Sequence, residues 1–403
     1  MTHLKPALAA VMVIPFALGL TACTSGGTAD AGAAPTTLTV WDGFTQYEAD
    51  SPFGKLLSTC EESTGYTVER TSDAAVADNL LQAATTGNTP DLVFLDNPFV
   101  AQFADSGLLV PNDESGLDAS EQLENVMAAG TVDGKTYGAS IGANTLALFY
   151  NKDLLEKAGV TPPTDWEELK SAVAATTGDG VNGIAFSAIN TEEGSFQFEP
   201  FFWGAGAELS DLSSPEAVEA LTLWTDFVSS GEASQSNLNA NQQDVRDQFL
   251  AGSAAFMVNG TWQLTALDEA GIDYGVVPLP AVDGGAAPSP LGGELIEVVA
   301  SDDATQKAAA EFAQCFVDPD NLKEFAAGQS YILPYAEGAA AQAQENPALE
   351  PWVEAVSAAR GRTAELGADY PTVSRALWTA VQEALTKTKS PEDALSAAQA
   401  SIG

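Results

Sequence analysis

From Leu38 to Ser106 the chain alternates short apolar or β-branched runs with longer amphipathic stretches, and this order most constrains its fold. Leu38-Thr39-Val40-Trp41 predicts a strand, Ser51 to Ser63 a helix and Tyr66-Thr67-Val68-Glu69 a second strand. Ala75 to Thr86 reads as a helix with Leu80, Leu81 and Ala84 on one face. Asp91-Leu92-Val93-Phe94-Leu95 follows as a buried strand, and Pro98 to Ser106 opens another helix. Strands and helices in this order imply parallel pairing, with helices on both faces of the sheet. Ligands of such sheets sit beyond the carboxyl ends of the strands. Trp41-Asp42 and Asp96-Asn97 lie at two such ends.

A second unit begins after Gly134-Lys135-Thr136-Tyr137-Gly138. Leu146 to Tyr150, Ala254 to Val258, Tyr274 to Val277 and Ile296 to Ala300 predict strands, and Gly284 to Pro290 a linker. Thr164-Asp165-Trp166-Glu167 reads as a capping box led by the threonine. Ser214-Pro215 and Ser390-Pro391 each start a helix, with proline where no backbone N–H is missed. Trp166, Trp224, Phe198, Phe201 and Phe202 are expected to pack in the core. At 403 residues the chain exceeds what one core usually organises, so two lobes are expected.

Lys5 precedes an apolar stretch from Ala7 to Leu20, and small residues lead to Cys23. That is the order of a secretory signal, too short to read as a bilayer span. The run Leu20-Thr21-Ala22-Cys23 resembles the lipobox of bacterial lipoproteins. The resemblance implies cleavage after residue 22, lipidation of Cys23, and a small polar tether over 23–36 that holds the folded part at the cell membrane. The single histidine, His3, lies in the segment to be removed. Without it the mature chain has no Ser-His-Asp or Cys-His machinery and no histidine-ligated metal site. No metal and no cofactor are expected. With 15 Lys+Arg against 56 Asp+Glu, the surface repels nucleic acid, so no nucleic-acid partner is expected. Cys60 and Cys315 remain, and outside the cytoplasm an even pair suits a disulfide or two buried thiols; spacing leaves this open.

Several segments carry a wider resemblance: Thr89-Pro90-Asp91-Leu92-Val93, Ser106-Gly107-Leu108-Leu109, Gly134-Lys135-Thr136-Tyr137-Gly138, Phe149-Tyr150-Asn151-Lys152-Asp153-Leu154, Pro163 to Leu169, and Phe256-Met257-Val258-Asn259-Gly260-Thr261-Trp262. Their ordered combination behind a lipobox resembles extracytoplasmic solute-binding lipoproteins of carbohydrate ABC transporters, the maltose-binding-protein-like family. The resemblance implies an α/β, two-lobed periplasmic-binding-protein-like fold with a multi-crossing hinge and an interlobe ligand cleft. It places 37–143 and 287–333 in the first lobe, and 144–286 and 334–403 in the second. Cys60 and Cys315 then both fall on first-lobe helices, which favours their pairing.

The same resemblance implies where a sugar is held. Trp41, Asp42 and Phe44 follow the first strand, and Asp96 and Asn97 follow the third. Asn144 stands at a hinge position that is glutamate in maltose-binding protein. Phe196, Trp203, Trp262 and Trp378 are its candidate stacking aromatics. Gly293 and Glu294 mark the return into the first lobe, and Arg362 and Tyr370 lie in a stretch where relatives often place a ligand-contacting arginine. Such a set suits a pyranose, whose hydroxyls need carboxylates or amides and whose C–H face needs aromatic plates. The implied protein is a monomer that does no chemistry. It would capture a carbohydrate, with an oligosaccharide expected, and hand it to permease subunits. The alternative is a secreted glycoside hydrolase working with two carboxylates, which needs no histidine.

Overall fold

The structure, a computed structural model, describes residues 35–403. The signal and most of the tether, Cys23 included, lie outside the described residues. Two separate sheets organise the chain. The first has five strands in the order Thr67–Ser72, Thr37–Asp42, Leu92–Asp96, Glu294–Val298, Ala139–Ser140. The second has four, in the order Tyr274–Val277, Leu146–Asn151, Ala254–Gly260, Asn182–Ala185. The fold is α/β and two-lobed, as expected, but neither sheet is purely parallel. The first three strands of the chain pair in parallel; Glu294–Val298 then runs antiparallel between Leu92–Asp96 and Ala139–Ser140. The parallel expectation rested on helical crossovers, whereas Glu294–Val298 enters from the other half of the molecule and carries no such constraint.

Strand alternation builds each core. On Leu92–Asp96, Leu92 and Phe94 join one apolar cluster with Leu38, Val40, Phe53 and Phe316, while Val93 and Leu95 join another with Leu80 and Phe103. Period-two side chains thus bury both faces of the strand under helices. In the other half, Trp166 and Trp224 are fully buried, as are Phe198, Phe201 and Phe202. Trp224 stacks on Phe186 at 4.0 Å between centroids. Helix starts follow local chemistry. Ser214 Oγ accepts from the Ala217 N–H and Ser390 Oγ from the Asp393 N–H. The cap before Trp166 departs from expectation. Asp165, not Thr164, accepts from the Glu168 N–H (2.8 Å), and Glu168 in turn accepts from Thr164. The shorter carboxylate reaches the first turn, and Thr164 is left one residue too far upstream.

Cys60, on helix Pro52–Thr64, and Cys315, on helix Asp303–Phe316, form a disulfide across a sequence separation of 255. Both helices pack on the five-stranded sheet. Three chain crossings lie side by side between the halves. Ala143 exchanges backbone hydrogen bonds with Ile332, and Asn144 exchanges them with Gly292. The approach is close: a Cβ on Gly293 (φ 121°) would sit 2.2 Å from the Gly142 carbonyl oxygen. Among the described residues no helix is long and apolar enough to cross a membrane.

Candidate functional site

Leu92–Asp96 delivers Asp96 and Asn97 to the seam between the two sheets. Asn97 is held from both ends. Its N–H donates to Gly293 O (3.3 Å) and its Nδ2 to Leu291 O (3.1 Å). Glu294, the first residue of the returning strand, is the cross-strand partner of Asp96. Arg362 reaches the same point from the segment before helix Tyr370–Leu385. Its Nη1 donates to Asp96 Oδ2 (3.0 Å) and Glu192 Oε1 (2.8 Å), and its Nη2 to Asp96 Oδ1 and Asn97 Oδ1 (2.9 Å). The guanidinium lies 4.8 Å over the Phe196 ring, and Phe196 is 6.2 Å from Trp262. Trp262 is half-buried and packs against apolar clusters of both sheets. Its indole lies over Gly260, where a Cβ would come within 2.2 Å of ring carbons.

Behind Arg362 is a buried acid network. Tyr370 Oη bridges Glu192 (2.8 Å) and Glu199 (2.6 Å), its one proton going to one of them, and Ser374 Oγ donates to Glu192 (2.6 Å). Burial raises Glu192, against the pull of Arg362. Burial, then the Glu192 charge, pushes Glu199 up to about 8. Glu294 is also pushed up to about 8, by burial and then by Asp96. At neutral pH Glu199 and Glu294 are thus largely protonated, so each can donate as well as accept.

Nine of the fourteen residues expected to bind ligand converge here: Asp96, Asn97, Asn144, Phe196, Trp262, Gly293, Glu294, Arg362 and Tyr370. The others lie elsewhere. Asp42 is fully buried and its carboxylate is taken by Arg70, Ser72 and the Phe44 N–H. Phe44 packs on Phe53 and Phe94 in the core. Trp41 points to the opposite face of the strand from Asp42 and lines a groove of about 490 Å³ with Asn79, Gln82 and Asn88. Trp203 is buried beneath Arg360, and Trp378 is half-buried beside Arg375. Sequence reasoning passed over Glu192, Glu199 and Ser374. Glu192 looks like any acid in a first helical turn. Glu199 carried a usable signal, since a lone acid inside Phe196-Gln197-Phe198-Glu199-Pro200-Phe201 cannot face water from an apolar helix.

The set joins carboxylates, amides, a guanidinium and two aromatic faces, which suits an uncharged ligand rich in hydroxyls. Among the described residues no group of three or more His, Cys, Asp or Glu is placed to hold a metal. The maltotriose-binding protein of Pyrococcus abyssi is 30% identical over 276 residues, 64% of this chain and 58% of its own. The chain spans about half the length of the curated relatives it matches. An ABC-transporter solute-binding protein of Thermotoga lettingae, solved with α-D-tagatose, superposes with a TM-score of 0.81 at 25% identity, covering 91% of this chain and 99% of that one. The GacH receptor of Streptomyces glaucescens, solved unliganded and with acarbose, gives 0.77 at 26% identity, covering 90% and 96%. The family described as bacterial extracellular solute-binding protein matches residues 55–351, the greater part of the chain, and with this two-lobed fold the chain belongs to that family.

Proposed function

We propose that the protein is the substrate-binding component of an ABC importer. It captures a carbohydrate outside the cytoplasmic membrane and delivers it to the permease without changing it. The observation that carries this reading is the convergence of Phe196 and Trp262 with Asp96, Asn97 and Asn144 at the seam between the sheets. Aromatic plates take the C–H face of a sugar ring, and the polar groups take its hydroxyls. Relatives named for maltotriose and maltodextrin binding, and neighbours solved with tagatose and acarbose, support the ligand class. The lobes of this reading are 37–143 with 287–333 and 144–286 with 334–403; closure over the ligand makes the form the permease recognises. Cys23 supplies the lipid anchor, and the protein works as a monomer.

A hydrolase would need a second carboxylate free to attack the sugar or to activate water. Asp96 is instead engaged through both oxygens by Arg362. Isothermal titration and thermal-shift screening against maltose, maltotriose, tagatose and acarbose test the proposal, with product analysis after long incubation. Saturable binding without turnover is expected. Turnover of any of these sugars, or no binding across a broad sugar panel, would overturn it.

A further inference from the structure

The Cys60–Cys315 bridge can be approached from one side only. Cys60 is fully buried in the apolar cluster of Leu38, Phe53 and Phe316. Cys315 is half-buried and lines a surface groove of about 980 Å³. Ser63 Oγ lies 3.2 Å from Cys315 Sγ. Asn321 Nδ2, which donates to Cys315 O (2.9 Å), lies 3.6 Å from the same sulfur. The groove is acidic: Asp113, Glu114, Asp303, Glu311 and Asp318 line it with a single cation, Lys307. Thiol–disulfide exchange begins with attack of a thiolate on one of the two sulfurs, so access decides which of them takes the new bond. Fixed charges around a concave site raise or lower the local concentration of a charged reagent, here in favour of cations.

We propose that Cys315 is a thiol-exchange site, reached through the acidic groove and selective for cationic or neutral thiols over anionic ones. An incoming thiolate RS⁻ forms a bond to Cys315 Sγ, and the Sγ–Sγ bond breaks. Its electron pair stays on Cys60 Sγ, which takes up a proton from solvent and remains in its apolar site. A second RS⁻ then attacks the outer sulfur of the mixed disulfide. RSSR departs, and the Cys315 thiolate is left facing the Asn321 N–H and the Ser63 hydroxyl, both able to donate to it until it is protonated. Two thiolates are oxidised to RSSR, and the bridge is reduced to two thiols. In reverse, RSSR loads Cys315 first, and Cys60 then displaces RS⁻ to close the bridge. Cys60 starts neither sequence in the folded protein, because no reagent reaches it.

Exchange on the folded protein tests it without any sugar. The wild type is pulsed with mercaptoethanol, quenched in acid and digested with pepsin at low pH, where exchange stops. Mass spectrometry should find the adduct on the Cys315 peptide and a free thiol on Cys60. Rates come from Cys60→Ala, whose Cys315 thiol is offered cystamine, hydroxyethyl disulfide or sulfoethyl disulfide. Each rate is taken relative to that of free mercaptoethanol with the same reagent. Cystamine should react about 10-fold or more faster than the sulfonate in dilute buffer. The ratio should collapse towards unity at about 1 M NaCl, where charges are screened within about 3 Å. Asp113→Asn with Glu311→Gln, added to Cys60→Ala, should narrow the low-salt ratio several-fold. Glu219→Gln with Asp226→Asn is the control, since both acids are exposed on helix Pro215–Ser230 of the four-stranded half. Cys315→Ala should leave Cys60 unreactive while far-UV circular dichroism shows the fold intact. An adduct on Cys60, a Cys60 thiol as reactive as Cys315, equal rates for the three reagents, or equal narrowing by the control pair would overturn the proposal. If Cys60→Ala does not fold, initial rates of adduct formation on the wild type with cysteamine, mercaptoethanol and mercaptoethanesulfonate decide instead, and the same order is expected.

Discussion

Removing the Cys60–Cys315 bridge should cost this protein more than most single covalent changes would. The cysteines are separated by 255 residues, and the loop they close contains all of the four-stranded sheet. The chain-entropy relation for a loop of that size gives about 5.5 kcal/mol, slightly above the usual range. Unfolding entropy of about 2.1 cal/mol/K per residue converts this to a melting-point loss of about 7 °C if the described chain melts as one unit. The loss roughly doubles if the five-stranded half melts alone, since less unfolding entropy is then involved. Cys60 is fully buried, so Cys315→Ser is the cleaner variant: it opens the bridge and leaves the Cys60 side chain in its packing site. Calorimetry of the wild type, Cys315→Ser and the Cys60→Ala/Cys315→Ala pair should show both variants melting lower, and reductant should lower the wild type alone. Ligand affinity should hold, because both anchoring helices lie in one half. A melting point within about 1 °C of wild type in both variants would refute the argument, since the entropy released to the unfolded chain cannot be smaller than that on this model.

Other expectations follow from the buried acids and the seam. Glu199 and Glu294 have folded-state pKa values raised to about 8, so the folded protein binds more protons than the unfolded chain between pH 4.5 and 8. The stability from these groups is therefore fully present below about pH 4.5 and falls as pH rises towards 8, by up to about 1.4 kcal/mol per pH unit for each. Urea denaturation at pH 5 and pH 8 measures this, and Glu199→Gln should flatten the difference. Glu297 is fully buried with neither carboxyl oxygen partnered. Glu297→Met should raise stability at pH 7 by about 1–3 kcal/mol in the same denaturation assay. Trp262→Ala should weaken sugar binding by roughly 10-fold or more, equivalent to about 1.4 kcal/mol, while the fold persists. Gly260→Ala should also weaken binding, by displacing the indole that covers it, and titration calorimetry reads both.

Much of the fold was legible because it depends on short-range pattern. The strand and helix order from Leu38 to Asp105, the Ser214 and Ser390 caps and the buried Trp166 and Trp224 all follow from periodicity and local hydrogen bonding. The antiparallel strand Glu294–Val298 did not follow, because its neighbours are set by a chain that crosses between halves. At the site, strand ends pointed to Asp96 and Asn97, yet the same rule also pointed to Asp42 and Phe44. Only packing separates them. Asp42 faces inward to Arg70, while Asp96 meets Arg362 from the other half.

By itself, then, the sequence determined α/β alternation in a chain long enough for two lobes, since hydrophobic period and length are read directly from it, while the aromatic and amide-rich candidate residues followed from the family resemblance. Tertiary structure alone decided that Cys60 meets Cys315, that Glu192, Tyr370 and Ser374 stand behind Arg362, and that Arg362 crosses to Asp96. Those contacts join residues hundreds of positions apart. Their formation depends on how two separate sheets are set against one another, which no short window of sequence contains.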